Sequence, residues 1–396
     1  MPGYEIFGDA ERKEVEEVLE TGVLFRYGFD QLRKGRWKTK TFEEELSRRL
    51  GVHYCHLCAS GTAALTIALA ACGIGAGDEV IVPPFTFVAT IESVLLSGAV
   101  PVFSEINETL CLDPESLKSV ISPRTKGVIP VHMCGSMAQI EDIRKICEEN
   151  GLILIEDACQ SFGATYNGKA LGLFGKMGCF SFDPVKTITC GEGGAVITDD
   201  RNLYLLAEGY ADHGHNHQGN DRGLEGHPIL GTNFRISELN AAVGLAQLRK
   251  LDAILEQQRR NKAIIKEMMS GASNISFRKI PDEKGDSATF LSFFLPDEST
   301  ARKAARELAA AGVDGCTYWY DNNWHYIRQW EHIKGLQSPA KLPMMLLQKR
   351  PDYKKLYLPQ SDAIMNRTIS MQIKLSWSRQ DLDQRMEKMN RVFKQC

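Results

Sequence analysis

The amino-acid sequence predicts an α/β protein: a large domain on a mostly parallel, doubly wound sheet over residues 1–250, then a connector helix and a smaller C-terminal α+β domain over residues 251–396. Three observations carry that expectation. Between about residues 40 and 200, short apolar runs alternate with helix-period segments, the pattern of parallel strands joined by crossover helices. The runs are rich in β-branched residues at successive positions, so both sheet faces are covered. At 396 residues the chain also exceeds what one hydrophobic core usually supports.

The elements follow in order. "HYCHLCAS" (residues 53–60) reads as a strand and "GTAALTIALAACGI" (61–74) as a helix. "EVIVPPF" (79–85), "VPVFSEI" (100–106), "GVIPVHM" (127–133) and "LILIEDA" (152–158) supply further strands. Helical patterns separate them at "ATIESVLLSGA" (89–99) and "MAQIEDIRKICEENG" (137–151). A long helical pattern over residues 235–271 ends at Gly271, a plausible C-terminal stop. Beyond it, "ISFRKI" and "ATFLSFFLP" read as strands, and "TARKAARELAAAGVDG" and "RQDLDQRMEKMNRVFKQ" as helices.

Composition narrows the function classes. A net charge of −3 gives no broad field for nucleic acid or acidic lipid, and no helix-turn-helix module or basic tail supports DNA binding. Apolar runs are interrupted well before the ~18–20 residues that span a bilayer. The 11 cysteines, scattered through apolar runs without a preceding signal peptide, read as reduced cytoplasmic thiols. Cys55 and Cys58 have redox spacing but no second pair to complete a zinc site.

In open parallel sheets ligands collect at the carboxyl edge, so the residues just after each strand are candidates. Ser60, Gly61 and Thr62 join a strand to a helix, where backbone N–H groups and a hydroxyl make an anion site. Taken alone, they read equally well as an ordinary N-cap. "LILIEDACQSFGA" delivers Glu156 and Asp157 to the edge, with Gln160 expected one helical turn further on. Phe87 in "PPFTFVAT" is an aromatic placed to stack on a flat ring. Lys186 sits in "FSFDPVKTITCGEGGAVIT" (180–198), between an aromatic-serine-aromatic triplet and a glycine turn. A lone lysine there reads as solvated. A lysine amine, a carboxylate for a protonated ring nitrogen and a phosphate cradle together are the anchors that pyridoxal phosphate requires.

The order of "SGTAAL", "PPFTFVAT", "VHMCGS", "EDACQSFGA", "FSFDPVKTITCGEGGAV" and "GTNFRISELNAAVGLAQLRKL" resembles the DegT/StrS family of pyridoxal-phosphate sugar aminotransferases. That resemblance implies fold type I and the following roles. Lys186 would bind the cofactor covalently, Asp157 would face the pyridine nitrogen and Gln160 the ring hydroxyl. Gly61, Thr62 and Ser181 would hold the phosphate, with Phe87 on the ring. Asn233 would reach the phosphate of the cofactor in the partner subunit, making the active unit a homodimer. The glycines after Lys186 are expected to let the backbone approach the cofactor. One branch of the family has histidine at the lysine position and dehydrates its sugar; Lys186 favours amino transfer. A non-catalytic regulator on the same fold is the reading from another class.

Three stretches depart from the family pattern: a long basic N-terminal segment, the histidine-rich "ADHGHNHQGNDRGLEGHP", and "GCTYWYDNNWHYIRQW". The substrate candidates are His213, His215, Arg222, Trp37 and Tyr320 within these stretches, together with Arg235 in the motif that follows the second. His213, His215 and His217 would share one side if they lay on a strand, but the Gly- and Asn-rich context and the chemistry argue against a metal. Glutamate is the expected amino donor. The expected acceptor is an acidic, nucleotide-free eight-carbon sugar oxidised at its terminal carbon, with a nucleotide-linked 3- or 4-keto sugar as the alternative.

Overall fold

The apolar runs pair into one seven-stranded sheet in the computed structural model, which describes residues 2–219, 221–272 and 274–395. Its strands are β1 (Tyr54–Cys58), β2 (Glu79–Val82), β3 (Val100–Phe103), β4 (Thr125–Val128), β5 (Ile153–Asp157), β6 (Met177–Ser181) and β7 (Gly194–Thr198). Their order across the sheet is β1-β7-β6-β5-β4-β2-β3. β7 runs antiparallel to both neighbours, whereas β6, β5, β4, β2 and β3 pair in parallel. The carboxyl ends of β2, β4, β5 and β6 therefore open on one edge, and the loops that follow them carry the candidate residues.

The helix Gly61–Ala71 is apolar on nearly every face because it lies inside the molecule, against β6, β7 and two other helices. Ser60 starts it, its Oγ accepting the Ala63 N–H at 3.0 Å. The long helical pattern divides into Glu238–Leu248 and Leu251–Met269. No glycine or proline marks that break. It coincides with two side chains drawn towards the N-terminal region: Arg249 pairs with Glu14 and Glu45 at 2.7 Å each, and Lys250 with Glu11 at 2.6 Å.

A second sheet holds β8 (Ser276–Phe277), β9 (Phe290–Phe294), β10 (Cys316–Tyr318) and β11 (Thr368–Gln372), antiparallel in the order β8-β9-β11-β10. β9 shows how it joins the first. Phe290 and Phe294 belong to the main core, while Leu291 and Phe293 pack with Ile265, Met269 and Met386 in a separate one, as period-two alternation requires. Residues 324–327 also pair with residues 84–88 of the large sheet's edge: Thr86 and Val88 donate to the carbonyls of His325 and Trp324, and Ile327 donates to that of Pro84. Among the described residues no helix is long and apolar enough to cross a membrane.

Close packing at Gly244 gives a stability test. A Cβ there would lie 2.3 Å from Cε1 of the fully buried Phe42. Alanine gains roughly 0.5–1 kcal/mol of helix preference over glycine, but overpacking costs about 1–3 kcal/mol. Gly244→Ala is thus expected to lower stability by about 1 kcal/mol, read as a lower urea midpoint. An unchanged or higher midpoint would show that Phe42 yields freely.

Candidate active site

β5 ends in two carboxylates that alternate across the sheet. Glu156, fully buried, accepts backbone N–H groups from Gly172 at 2.9 Å and Gly175 at 2.7 Å, and lies 3.0 Å from His132 Nε2. Its oxygens are committed to structure. Asp157 turns the other way, where its Oδ2 accepts the Thr90 hydroxyl at 2.8 Å and its Oδ1 the Cys159 N–H at 3.1 Å. The second bond closes an Asx turn, so the chain after Asp157 forms turns and not the helix expected from the sequence. Gln160 reaches the same region from that turn.

Asp157 faces a cavity of about 370 Å³, within the range of cofactor sites. Lys186, Gly61, Thr62, Phe87, Gln160 and Ser181 line it as well. These seven residues come from the ends of β5 and β6, the loops after β2, β5 and β6, and the start of the helix that follows β1. Lys186 is nine-tenths buried; its Nζ lies 3.5 Å from Asp183 Oδ2 and 5.8 Å from the centre of the Phe87 ring. Phe87 stacks on Trp324 with ring centres 5.8 Å apart and planes 5° from parallel. Gly61 opens its helix so close to Ser181 that a Cβ would lie 2.7 Å from Ser181 Cβ. The helix N-terminus, Thr62 and Ser181 thus border one small volume, residue types whose N–H and O–H groups suit a phosphate. A lysine, a carboxylate, an aromatic face and that cradle fit pyridoxal phosphate.

Burial and the nearby Asp157 carboxylate raise the Cys159 thiol well above its ordinary range, so it stays protonated and inert. His325 is pulled down to about 3, first by burial and then by the charge on Lys186. Its imidazole is therefore neutral, with Nδ1 2.9 Å from Asn322 Oδ1. Thr90, Cys159, Asp183 and Glu192 also line the cavity and were not singled out by sequence reasoning; all four lie within the quoted motifs, but nothing local announces their partners.

Other expectations are relocated. Two of the glycines after Lys186 are packed against protein atoms: a Cβ on Gly194 would lie 2.3 Å from the Ser60 carbonyl oxygen, and one on Gly193 2.3 Å from the Cys190 side-chain Sγ. Asn233 is exposed, accepts the Arg235 N–H at 3.2 Å, and lies outside this chain's cavity lining. The substrate candidates lie outside it too. Arg222 and Arg235 share the fully buried Asp212, Arg222 through two bonds of 2.9 and 3.1 Å and Arg235 at 2.5 Å. His215 pairs with Glu225 at 2.8 Å and packs on His227, while His217 stacks on Tyr27 with centres 4.5 Å apart. His213 is exposed with φ of 54°. The three histidines thus follow a loop and do not share one strand face. Trp37 lies under the Arg33 guanidinium at 3.8 Å, and Tyr320 packs near Tyr326 at 5.6 Å. Cys55 and Cys58 are buried in β1, both thiols raised by burial.

The chain belongs to the DegT/DnrJ/EryC1/StrS aminotransferase family, whose model matches residues 6–390. Its fold is that of type I pyridoxal-phosphate aminotransferases. It is 37% identical over 269 residues to L-glutamine:2-deoxy-scyllo-inosose aminotransferase of Streptomyces kanamyceticus, a match spanning 63% of each chain. It is 35% identical over 302 residues to GDP-perosamine synthase of Vibrio cholerae, covering 74% of this chain and 76% of that one. Among solved structures, the aminotransferase from Psychrobacter cryohalolentis superposes with a TM-score of 0.84 at 27% identity, covering 98% of both chains.

The Gly61 contact yields a direct test of the cradle. In Gly61→Ala the new methyl must displace Ser181, so pyridoxal phosphate binding is expected to weaken at least about tenfold, the scale of one charge-assisted hydrogen bond. Equilibrium dialysis reads the affinity and thermal unfolding checks the fold. Wild-type affinity in a folded variant would remove Gly61 and Ser181 from the phosphate site.

Proposed function

We propose that this protein is a pyridoxal-phosphate-dependent aminotransferase that moves an amino group from an amino acid, glutamate being the expected donor, to an oxidised sugar. The observation that carries this reading is the presence of Lys186 and Asp157 on one cavity beside a helix N-terminus. When bound, pyridoxal phosphate supplies an electron sink for the carbanion left when the donor loses its Cα proton. Lys186 would anchor the cofactor through its amine and, once the donor's amine has displaced it, the freed amine would take that proton and return it to the neighbouring carbon. Asp157 keeps the ring nitrogen protonated, and its own orientation is fixed by Thr90 and the Cys159 N–H. Gly61, Thr62 and Ser181 would hold the phosphate, Gln160 would stand by the ring hydroxyl, and Phe87, backed by Trp324, would cover the ring; all line the one cavity except Trp324.

The proposed active unit is a cytoplasmic homodimer, with Asn233 completing the partner's phosphate site. Its exposure and its absence from this chain's cavity lining are what such sharing requires. The proposed acceptor is the C8 aldehyde of oxidised 3-deoxy-manno-octulosonate, which places the enzyme in lipopolysaccharide sugar synthesis as an 8-amino-3,8-dideoxy-manno-octulosonate transaminase. The sequence details at residues 36–39, 212–215, 233–238 and 322–326 support it, and Arg222 and Arg235 keep N–H donors beyond those Asp212 accepts. A nucleotide-linked keto sugar is the second reading, favoured by the GDP-perosamine synthase relative.

A substrate panel separates these readings. Enzyme loaded by amino donor is mixed with oxidised octulosonate or with nucleotide 3- and 4-keto sugars, and return of the cofactor's visible band is followed. Faster return with the octulosonate is expected; preference for a nucleotide sugar would overturn the finer assignment. A protein that is colourless with cofactor and silent to every donor would favour the regulator.

Subunit exchange tests the shared site. Lys186→Ala alone is expected to bind cofactor yet lose turnover. Mixed with an inactive Asn233→Ala chain, it should regain part of the activity, because each heterodimer contains one site with both lesions and one with neither. No recovery, with heterodimers proven by mass spectrometry of tagged chains, would mean that each site is built within one chain.

A further inference from the structure

Arg278 follows β8 in the small domain and is only 4% exposed, yet among the described residues no carboxylate pairs with it. A buried guanidinium normally has such a partner. Its Nη1 donates instead to the Met133 carbonyl at 2.9 Å, and its Nη2 to the Thr109 carbonyl, both in the large domain. The turn Met133–Gly135 is held by a second small-domain group: Ser287 donates its hydroxyl to the Gly135 carbonyl at 2.8 Å and its N–H at 2.9 Å.

That turn has a constrained backbone. Cys134 and Gly135 are both left-handed, with φ of 54° and 77°. A Cβ on Gly135 would lie 2.0 Å from the Thr289 hydroxyl, so the small domain fills the space that glycine leaves. With both residues left-handed, their N–H groups converge on Gln160. Cys134 N–H donates to Gln160 Oε1 at 3.3 Å and Gly135 N–H to the Gln160 carbonyl at 3.0 Å. Of the two ends of a side-chain amide only the oxygen can accept a backbone N–H, so Gln160 Oε1 is the end turned to the Met133–Gly135 turn. Its NH₂ is left as the donor for the cavity.

We propose that Arg278 is a positioning residue for the cofactor: it grips Met133–Gly135 from the small domain, and the turn in turn fixes the Gln160 amide with its NH₂ towards the cofactor's ring oxygen. This rests on the reading of Gln160 as the neighbour of that oxygen. The small domain therefore sets the electronics of a ring that it does not touch through Arg278.

The test uses the cofactor-loaded enzyme and two readouts besides activity: pyridoxal phosphate affinity by dialysis, and the pH midpoint of the bound cofactor's visible band, which responds to groups at the ring oxygen. Arg278→Met, Gln160→Ala and the double variant are compared. The proposal expects both single variants to shift the midpoint in one direction and to weaken binding by up to about tenfold, as for one lost hydrogen bond. The double variant should move no further than Gln160→Ala alone, and Arg278→Lys, which keeps one carbonyl contact, should recover part of the shift. If Gln160→Ala shifts the midpoint and Arg278→Met does not, or if the two shifts add, the proposal is overturned while the reading of Gln160 stands. If Gln160→Ala moves neither readout, both fall. Should Arg278→Met not fold, Ser287→Ala takes its place, loosening the same turn with a smaller shift in the same direction; a wild-type midpoint there overturns the proposal.

Discussion

Two adjacent carboxylates at the end of one strand must face opposite sides of the sheet, and the site depends on that alternation at Glu156 and Asp157. Glu156 is consumed by backbone N–H groups and His132, which fixes the carboxyl end of β5 against the loop around Gly172–Gly175. Asp157 is then held at the cavity by Thr90 and the Cys159 N–H. A slip of one residue would exchange them, leaving the cavity with a carboxylate that the structure needs elsewhere. Around this point the parallel edge gathers the rest: the Gly61 helix start after β1, Phe87 after β2, and Ser181 and Lys186 at and after β6.

The small domain takes part in the site without lining the cavity. Residues 324–327 add strand-like bonds to residues 84–88, and Trp324 backs the ring of Phe87. Arg278 and Ser287 hold the turn that holds Gln160. Both contacts join residues more than 100 positions apart; the first falls on the cavity-lining Thr86 and Phe87 themselves, and the second reaches Gln160 through the Met133–Gly135 turn. Rigid support of this kind is what fixes side chains to the tolerance that catalysis requires.

How much of this was legible follows from the range of the interactions. The strand and helix order was readable because apolar periodicity is local, and Lys186, Asp157 and the Gly61 turn because each stands in a compact motif next to a strand end. The turn after Asp157 was missed: "ACQSFGA" has acceptable helix spacing, and only the Asx bond to Cys159 and the grip on Gln160 choose against it. The break between Leu248 and Leu251 carries no breaker residue; it coincides with acids at positions 11, 14 and 45 that draw Arg249 and Lys250. The Asp212 hub was equally hidden. Its cations Arg222 and Arg235 were visible as candidates, but their shared buried carboxylate is a tertiary fact.

The central claim is that Lys186, among all the lysines, carries the cofactor. The most direct measurement is borohydride reduction of the protein with pyridoxal phosphate, followed by proteolysis and peptide mass mapping. The account predicts a pyridoxyl group on the peptide containing Lys186, in near-stoichiometric yield. A modification on a different lysine, or none at all while the cofactor remains bound, would contradict it.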